Sequence, residues 1–406
     1  MISKPKVLVV SYNIPRPDNS SGELRFVSIL EILSEFWDID FCIASTPSSV
    51  FDYSDDVNYY IDYLTKFRIN VLPVKKETFD NAITRVNYDG GYFNQYWVAE
   101  ATLSAFKKTR PNAFTIVDSV DVQYARKESQ AKIGELSYSE VEDTKKKELS
   151  IYNSADIVFA VSKEDFDLLS SVNKIKNVFL ISNIVKEYPR VTGARKPIVI
   201  FIGYYAWYPN PAAVKWFAAE IWPIIIEAVP EAEFHIIGSK PTAEVNALSR
   251  IPGIKVIGFV KETKPYLDMA AVSVAPLRIG GGMKGKVNEA MAHGIPVVAT
   301  KIGAQGLQAV HGRHMMIADD PNAFAECVIK LLKDEKLQFE MGLSGQLLNS
   351  SICSQTVVKL KIEEVVQKCN SLIQEREGFK NKPGIFKSKN GKFRILKKLR
   401  NLYSNI

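Results

Sequence analysis

The sequence is poor in cysteine and histidine and contains no long apolar run. Cys42, Cys327, Cys353 and Cys369 are the only cysteines among 406 residues, and each stands far from the others. That spacing excludes a disulfide framework and a cysteine-rich metal site. It predicts free thiols, mostly buried, in a reducing compartment such as the cytoplasm. Of the four histidines, His235 falls in a strand pattern, His293 ends a helical one, and His311 and His314 share a turn. These positions predict a core residue, a helix cap and a turn pair rather than metal ligands. No stretch reaches the roughly 18 apolar residues of a membrane span. The start, "MISKPKVLVVSYN", enters a strand pattern at once, so no signal peptide is expected.

Charge of one sign is also missing from most of the chain. The net charge is +7, yet nine of the 52 basic residues lie between Gly378 and Ile406, where there is no acid. The rest holds 43 basic and 45 acidic residues, too balanced for a nucleic-acid surface. Within the tail, "GKFRILKKLRNLYSNI" sets Ile395, Leu396, Leu399, Leu402, Tyr403 and Ile406 at helical spacing between basic residues. That pattern predicts an amphipathic basic helix, lying on an anionic membrane surface or docked on the body by its apolar face.

What is present is an alternation of strand and helix. "KVLVVSYN" (6–13) is a continuous apolar run, as expected of a strand buried on both faces. "DIDFCIA" follows, with further strands predicted near 69–74, 113–117, 156–161 and 178–181. The pattern restarts at "KPIVIFIGYY" and recurs at 233–237, 254–257, 271–275 and 295–299, before three helical stretches at 321–333, 335–349 and 354–374. Alternation of this kind predicts an α/β protein with two Rossmann-like parallel-sheet domains facing across a cleft, where ligands bind beyond the strand ends. The domains are expected at 1–190 and 191–375, the last helix packing back on the first domain, followed by the basic tail at 376–406.

One stretch concentrates the chemistry: "PLRIGGGMKGKVNEAMAHGIPVVAT", residues 276–300. Gly280, Gly285 and Lys286 match the spacing of a P-loop, but Val287 stands where a Ser or Thr must hold magnesium. Gly280, Gly282 and Gly285 match a dinucleotide fingerprint, but no acid follows about 20 residues on, and the loop does not open the first βαβ unit. The remaining reading is a glycine loop whose amides, with the N-terminus of the next helix, receive a diphosphate. Lys284 and Lys286 add point charges. Glu289, one turn in, can accept two hydrogen bonds from a ribose diol. The plain alternative is a tight turn followed by a solvated acid.

In these residues the chain resembles a GT-B-fold glycosyltransferase, more narrowly family four of the retaining, nucleotide-sugar-dependent enzymes. The resemblance runs from about residue 6 to 350, through "SSGELR", "VDSVDVQYARKES", "NSADIVFAVSKED", "ISNIV", "FIGYYAWYPNPAAVKWF", "AEFHIIGSKP", "IKVIGFVKE" and the glycine loop. It implies transfer of a sugar from a nucleotide-diphosphate donor to a glycan or lipid-linked acceptor, in bacterial surface-polysaccharide synthesis. The site is expected on the cytoplasmic membrane face. By the same resemblance Glu289 binds the donor ribose, and Lys286, with Lys284 and the amides of Gly280, Gly281 and Gly282, stabilises the departing diphosphate. Gly203, Phe259 and Val260 fall on the donor side. Gly22, Arg25 and Asp118 fall on the acceptor side, Gly22 and Arg25 in reach of the donor phosphate. Asp118 and Asp121 either orient the acceptor hydroxyl or cap the following helix. Two departures stand out. Gly281 occupies the place of a Glu that usually contacts the donor sugar, and no basic residue follows Gly203 until Lys215. The D-x-D pairs Asp38/Asp40 and Asp165/Asp167 are not predicted at strand ends facing the cleft, so neither a metal nor another cofactor is expected. A GT-B-fold epimerase or phosphorylase and a non-catalytic sugar-nucleotide-binding partner are the alternative functions.

Overall fold

The computed structural model describes residues 4–44, 56–73, 79–132, 134–189, 193 and 195–376. The basic tail therefore lies outside the described residues. The first sheet is formed by β1 (Lys6–Ser11), β2 (Asp38–Ile43), β3 (Asn70–Val71), β4 (Gly90–Asn94), β5 (Phe114–Asp118), β6 (Ile157–Ala160) and β7 (Val178–Leu180). All its pairings are parallel, in the order β3-β2-β1-β4-β5-β6-β7. The second sheet comprises β8 (Lys196–Ile202), β9 (Glu233–Ile237), β10 (Ile254–Gly258), β11 (Ala270–Ala275), β12 (Val297–Ala299) and β13 (Met316–Ile317), parallel in the order β10-β9-β8-β11-β12-β13. The expected pair of Rossmann-like domains is thus observed. Each order reverses once, between β1 and β4 and between β8 and β11, and a crevice opens at such a point.

The apolar strand runs are buried as parallel strands between helical layers must be: Val7, Leu8, Val9 and Val10 are fully enclosed, as are Val199, Ile200 and Phe201. The strand β4, "GGYFN", was not among the sequence expectations because two glycines depress strand propensity. Their reason is packing. A Cβ on Gly90 would lie 2.1 Å from the Phe114 ring, and one on Gly91 would lie 2.8 Å from Phe106. Tyr92 and Phe93 then fill the two faces of the sheet without exposure. The two-residue β13 was also unexpected, and the predicted strand at 69–74 reduces to Asn70–Val71.

The last helix, Gln355–Arg376, returns to the first domain. Val358, Ile362, Val365 and Cys369 join the core that holds Val7, Ile39 and Phe41. Arg376 fixes its end by donating to the carbonyl of Ala113 at 2.6 Å and by pairing with Asp156. Cys42, Cys353 and Cys369 are buried free thiols, and Cys327 is half-buried. Among the described residues no helix is long and apolar enough to cross a membrane.

Candidate functional site

The glycine loop follows β11 and leads into the helix Gly285–Ala292. Gly280 (φ 149°) and Gly282 (φ 61°) adopt backbone angles that L side chains rarely reach. The loop is pressed against the first domain. A Cβ on Gly282 would stand 3.3 Å from Asp121 and Val161, one on Gly281 would stand 3.1 Å from Arg126, and one on Gly285 would strike Ser21 at 2.2 Å. Side chains here would hold the two domains apart.

Lys284 turns back over its own loop, donating to the carbonyls of Gly281 (2.9 Å) and Gly282 (2.7 Å). Burial lowers its pKa to about 8, against the opposing pull of Asp121, Asp165 and Glu164. Lys286 donates to Asn210 Oδ1 and lies 4.3 Å above the Phe201 ring. Burial, with a smaller contribution from Lys284, pushes its pKa down to about 7. No carboxylate forms an ion pair with either ammonium among the described residues. Gly203 makes room for this arrangement, since its Cβ would fall 3.0 Å from the Asn210 side chain. Glu289 accepts from the Thr263 hydroxyl, and burial raises its pKa. Phe259 is exposed and Val260 half-buried just beyond β10. Beneath the helix, Asn288 donates to Asn349 (2.9 Å) and contacts Cys353 Sγ (3.1 Å), seating it on the C-terminal helices.

On the facing domain the structure corrects two expectations. Arg25 and Asp118 are not on the acceptor side of a cleft but inside the core, at 1% and 0% exposure. Arg25 donates to Asp118 at 2.7 Å and twice to the carbonyl of Ile181, and at that burial its guanidinium faces the core rather than a phosphate in the cleft. Asp118 also accepts from Tyr92 and from the Val120 amide. This buried pair ties the first long helix to β5 and to the chain leaving β7. Gly22 lies in the first turn of the helix Ser21–Ser34, with only Val120 and Ser20 near the place of its Cβ. Asp121 does lie against the glycine loop, held by Gln123 (2.6 Å) and Arg126 (2.9 Å). The carboxylate that caps the helix Gln123–Lys132 is neither Asp118 nor Asp121 but Glu148, which accepts from the amides of Gln123 and Tyr124, both at 2.9 Å. Its pKa is raised to about 7 by burial.

A third correction concerns Asp165, which was expected away from any cleft-facing strand end. It lies just after β6, at the start of the helix Lys163–Ser170, with its Oδ2 3.7 Å from the place of a Cβ on Gly282. That oxygen is buried with no hydrogen-bond partner, and burial raises the pKa to about 6. Asp165, Arg126, Asn210 and Thr263 are therefore neighbours of the loop that sequence reasoning did not assign. Only the position of Asp165 in "AVSKED", directly after a strand pattern, could have signalled one of them. His293 caps the glycine-loop helix as expected and stacks on Tyr188, while His235 is buried beside Glu233. Among the described residues no three His, Cys, Asp or Glu side chains are grouped to hold a metal ion.

Residues 196–334, most of the second domain, match the family of glycosyl transferases group 1. A Klebsiella pneumoniae protein, described as an uncharacterized 44.6 kDa protein in the cps region, is 23% identical over 360 residues, covering 81% of this chain and 91% of that one. Sucrose-phosphate synthase from Thermosynechococcus elongatus shares the fold with a TM-score of 0.67 at 15% identity, over 91% of this chain and all of that one. Anabaena HepE, solved with UDP and glucose, superposes with a TM-score of 0.65 at 13% identity, over 90% of this chain and all of that one. These matches bear out the resemblance to GT-B glycosyltransferases.

Proposed function

We propose that this chain, whose second half matches the group 1 glycosyltransferases and whose two domains share the GT-B fold, is a retaining enzyme using a nucleotide-diphosphate sugar. The observation that carries the donor reading is the half-buried Lys286 at the start of the glycine-loop helix, whose ammonium meets the Asn210 amide oxygen and the face of the Phe201 ring, with no carboxylate ion-paired to it among the described residues. A buried cation without a counter-ion is costly, and a bound diphosphate supplies the missing charge. Lys286 and the loop amides take the diphosphate, and Glu289 accepts from the ribose hydroxyls. HepE, of the same fold, was crystallised with UDP and glucose, which favours a UDP-sugar.

In the proposed reaction the bond between the anomeric carbon and the diphosphate oxygen breaks on the same face on which the acceptor oxygen bonds. The hydroxyl proton passes to the leaving diphosphate. The protein's part is to position both reactants and to stabilise charge that grows on the leaving group. Asp121, beside the loop, orients the acceptor hydroxyl. No step is assigned to a metal, and turnover should survive EDTA. The relative in a cps region supports a role in polysaccharide synthesis. The acceptor is then a glycan or lipid-linked glycan, and residues 378–406 bring the enzyme to an anionic membrane surface. The test is to incubate the purified full chain with UDP-, GDP- and dTDP-sugars and follow the anomeric signals by NMR. Slow release of α-configured sugar from an α-linked donor is expected. No donor consumption, with or without acceptor, would contradict the enzymatic reading.

A further inference from the structure

The turn that leaves β8 has no basic residue between Gly203 and Lys215, yet it reaches the glycine-loop helix through Asn210. Its frame is fixed in steps. Tyr205 is enclosed in the core, where its hydroxyl donates to the Ile237 carbonyl at 3.2 Å and its amide to the Ser239 carbonyl at 3.0 Å. The turn is thereby tied to the end of β9, and the Tyr204 carbonyl is held in place. Asn210 follows in the first turn of the helix Pro209–Trp216, buried between Pro209 and Pro211, whose rings restrict the backbone on both sides. Its side-chain amide donates to the Tyr204 carbonyl at 2.8 Å. A carbonyl only accepts, so the Asn210 nitrogen must face it and the Asn210 oxygen must point away. That oxygen meets the Lys286 ammonium, which only donates.

Phe201 completes the seat of Lys286, its fully enclosed ring lying 4.3 Å from the ammonium. A ring face attracts a cation yet carries no net charge. Gly203 leaves space for both partners, since a Cβ there would stand 2.9 Å from the Phe201 ring and 3.0 Å from the Asn210 amide. Lysines nearby are held differently. Lys215 pairs with Glu244, and Lys264 with Asp268. Glu289 stands three residues beyond Lys286 on the same helix, a spacing at which opposite charges can meet. It accepts from Thr263 instead. Of the charged groups, Lys284 acts on Lys286, and it repels. Lys286 is thus gripped by neutral partners, with its charge left for a ligand.

We infer that Asn210 is a positioning residue for the transfer reaction: it fixes where the Lys286 ammonium stands while leaving that charge free for the diphosphate. The inference rests on the donor-site reading and deepens it, because it gives a reason for an amide at this place. A carboxylate would grip the lysine as firmly but would cancel the charge that the leaving group needs. An alanine would spare the charge but release a flexible four-carbon stem. A neutral acceptor, locked by its own second hydrogen bond, does neither.

The test compares wild type, Asn210→Asp, Asn210→Ala and Lys286→Ala as full chains, with melting curves to confirm folding. In the free protein, carbon NMR of isotope-labelled lysine side chains follows the titration of Lys286, whose signal is the one missing from Lys286→Ala. The wild-type midpoint should lie at about 7. Asn210→Asp should raise it by about one to three pH units, the effect of an opposite charge at contact. A role confined to packing the helix end would change the melting temperature and leave this titration in place. With UDP-, GDP- and dTDP-sugars as donors, Asn210→Ala should lower kcat for donor hydrolysis about ten- to a hundredfold, the scale of a displaced group, and change donor KM by at most about threefold. The inference is overturned if the midpoint does not move in folded Asn210→Asp, or if Asn210→Ala works as fast as a wild type that Lys286→Ala impairs. Should Asn210→Asp fail to fold, the alanine variant decides. A wild type without turnover, or one matched by Lys286→Ala, brings down the donor-site reading and this inference with it.

Discussion

The two sheets reverse strand order in the same way, yet the chemistry at their ends is opposite. The second domain offers cations and glycine amides: Lys284, Lys286 and the turns at Gly280 and Gly282. The first offers carboxylates: Asp121 and Asp165, the latter with an oxygen that has no hydrogen-bond partner. On the proposed reading, one topology carries two half-sites, an electropositive one for a diphosphate and a carboxylate-bearing one for the acceptor hydroxyl. The fold sets where ligands bind, and a few side chains at the strand ends decide which.

That contrast breaks most sharply at Lys286. Lys286→Ala should lower kcat by about a hundred- to a thousandfold, the range for losing one pre-organised charge stabiliser. KM for the donor should change far less, because leaving-group charge grows toward the transition state. Steady-state kinetics over donor concentration separate the two. Next in size, Glu289→Ala should weaken nucleotide binding by roughly 1.5–3 kcal/mol, the scale of hydrogen bonds to a charged group, as read by calorimetry. Unaltered affinity in a folded variant would remove the ribose role.

A smaller effect sharpens the other half-site. Asp165 titrates at about 6 in the folded chain, above the unfolded value near 3.9. The folded state therefore holds its proton longer, and this carboxyl makes stability fall as pH rises from about 4 to about 6. Asp165→Asn should abolish that loss, raising the melting temperature at pH 7.5 by about 2–4 °C per kcal/mol recovered and leaving it nearly unchanged at pH 4. Equal shifts at both pH values would show that the carboxyl is not held uncharged. The smallest expected change follows deletion of 378–406, which should reduce co-sedimentation with anionic vesicles at low salt and leave donor hydrolysis nearly intact. Equal sedimentation of full-length and shortened protein would leave the tail without a membrane role.

The electropositive half was largely legible in the sequence because its residues lie together in one loop. Lys284, Lys286 and Glu289 fall within six positions, and a glycine turn before a helix is a local signal. The facing half is assembled from separate strand ends, so Asp165 and Arg126 acquire their place against the loop only through tertiary contact. Arg25 was misread for the same reason. Its partners, Asp118 and Ile181, are 93 and 156 residues away, and nothing local distinguishes a core guanidinium from a ligand-binding one. Most strands were legible as apolar runs. β4 was not, because its glycines serve neighbouring aromatic rings rather than the strand itself.

On the proposed reading, the glycine-loop lysines await a diphosphate. Lys286 is held near pKa 7 in the free protein by burial, and a bound polyanion would raise it. At pH 8 the terminal phosphate of a nucleoside diphosphate is already ionised, its own pKa being about 6. Any proton taken up on binding then comes to the protein. Calorimetric titration of UDP, GDP and dTDP at pH 8, in buffers of different ionisation enthalpy, measures that uptake. Binding of at least one nucleotide is expected, with proton uptake to which Lys286 contributes most and Lys284, near pKa 8, the smaller share, so that the larger part is lost in Lys286→Ala. Binding without proton uptake, or uptake unchanged in the variant, would contradict that reading.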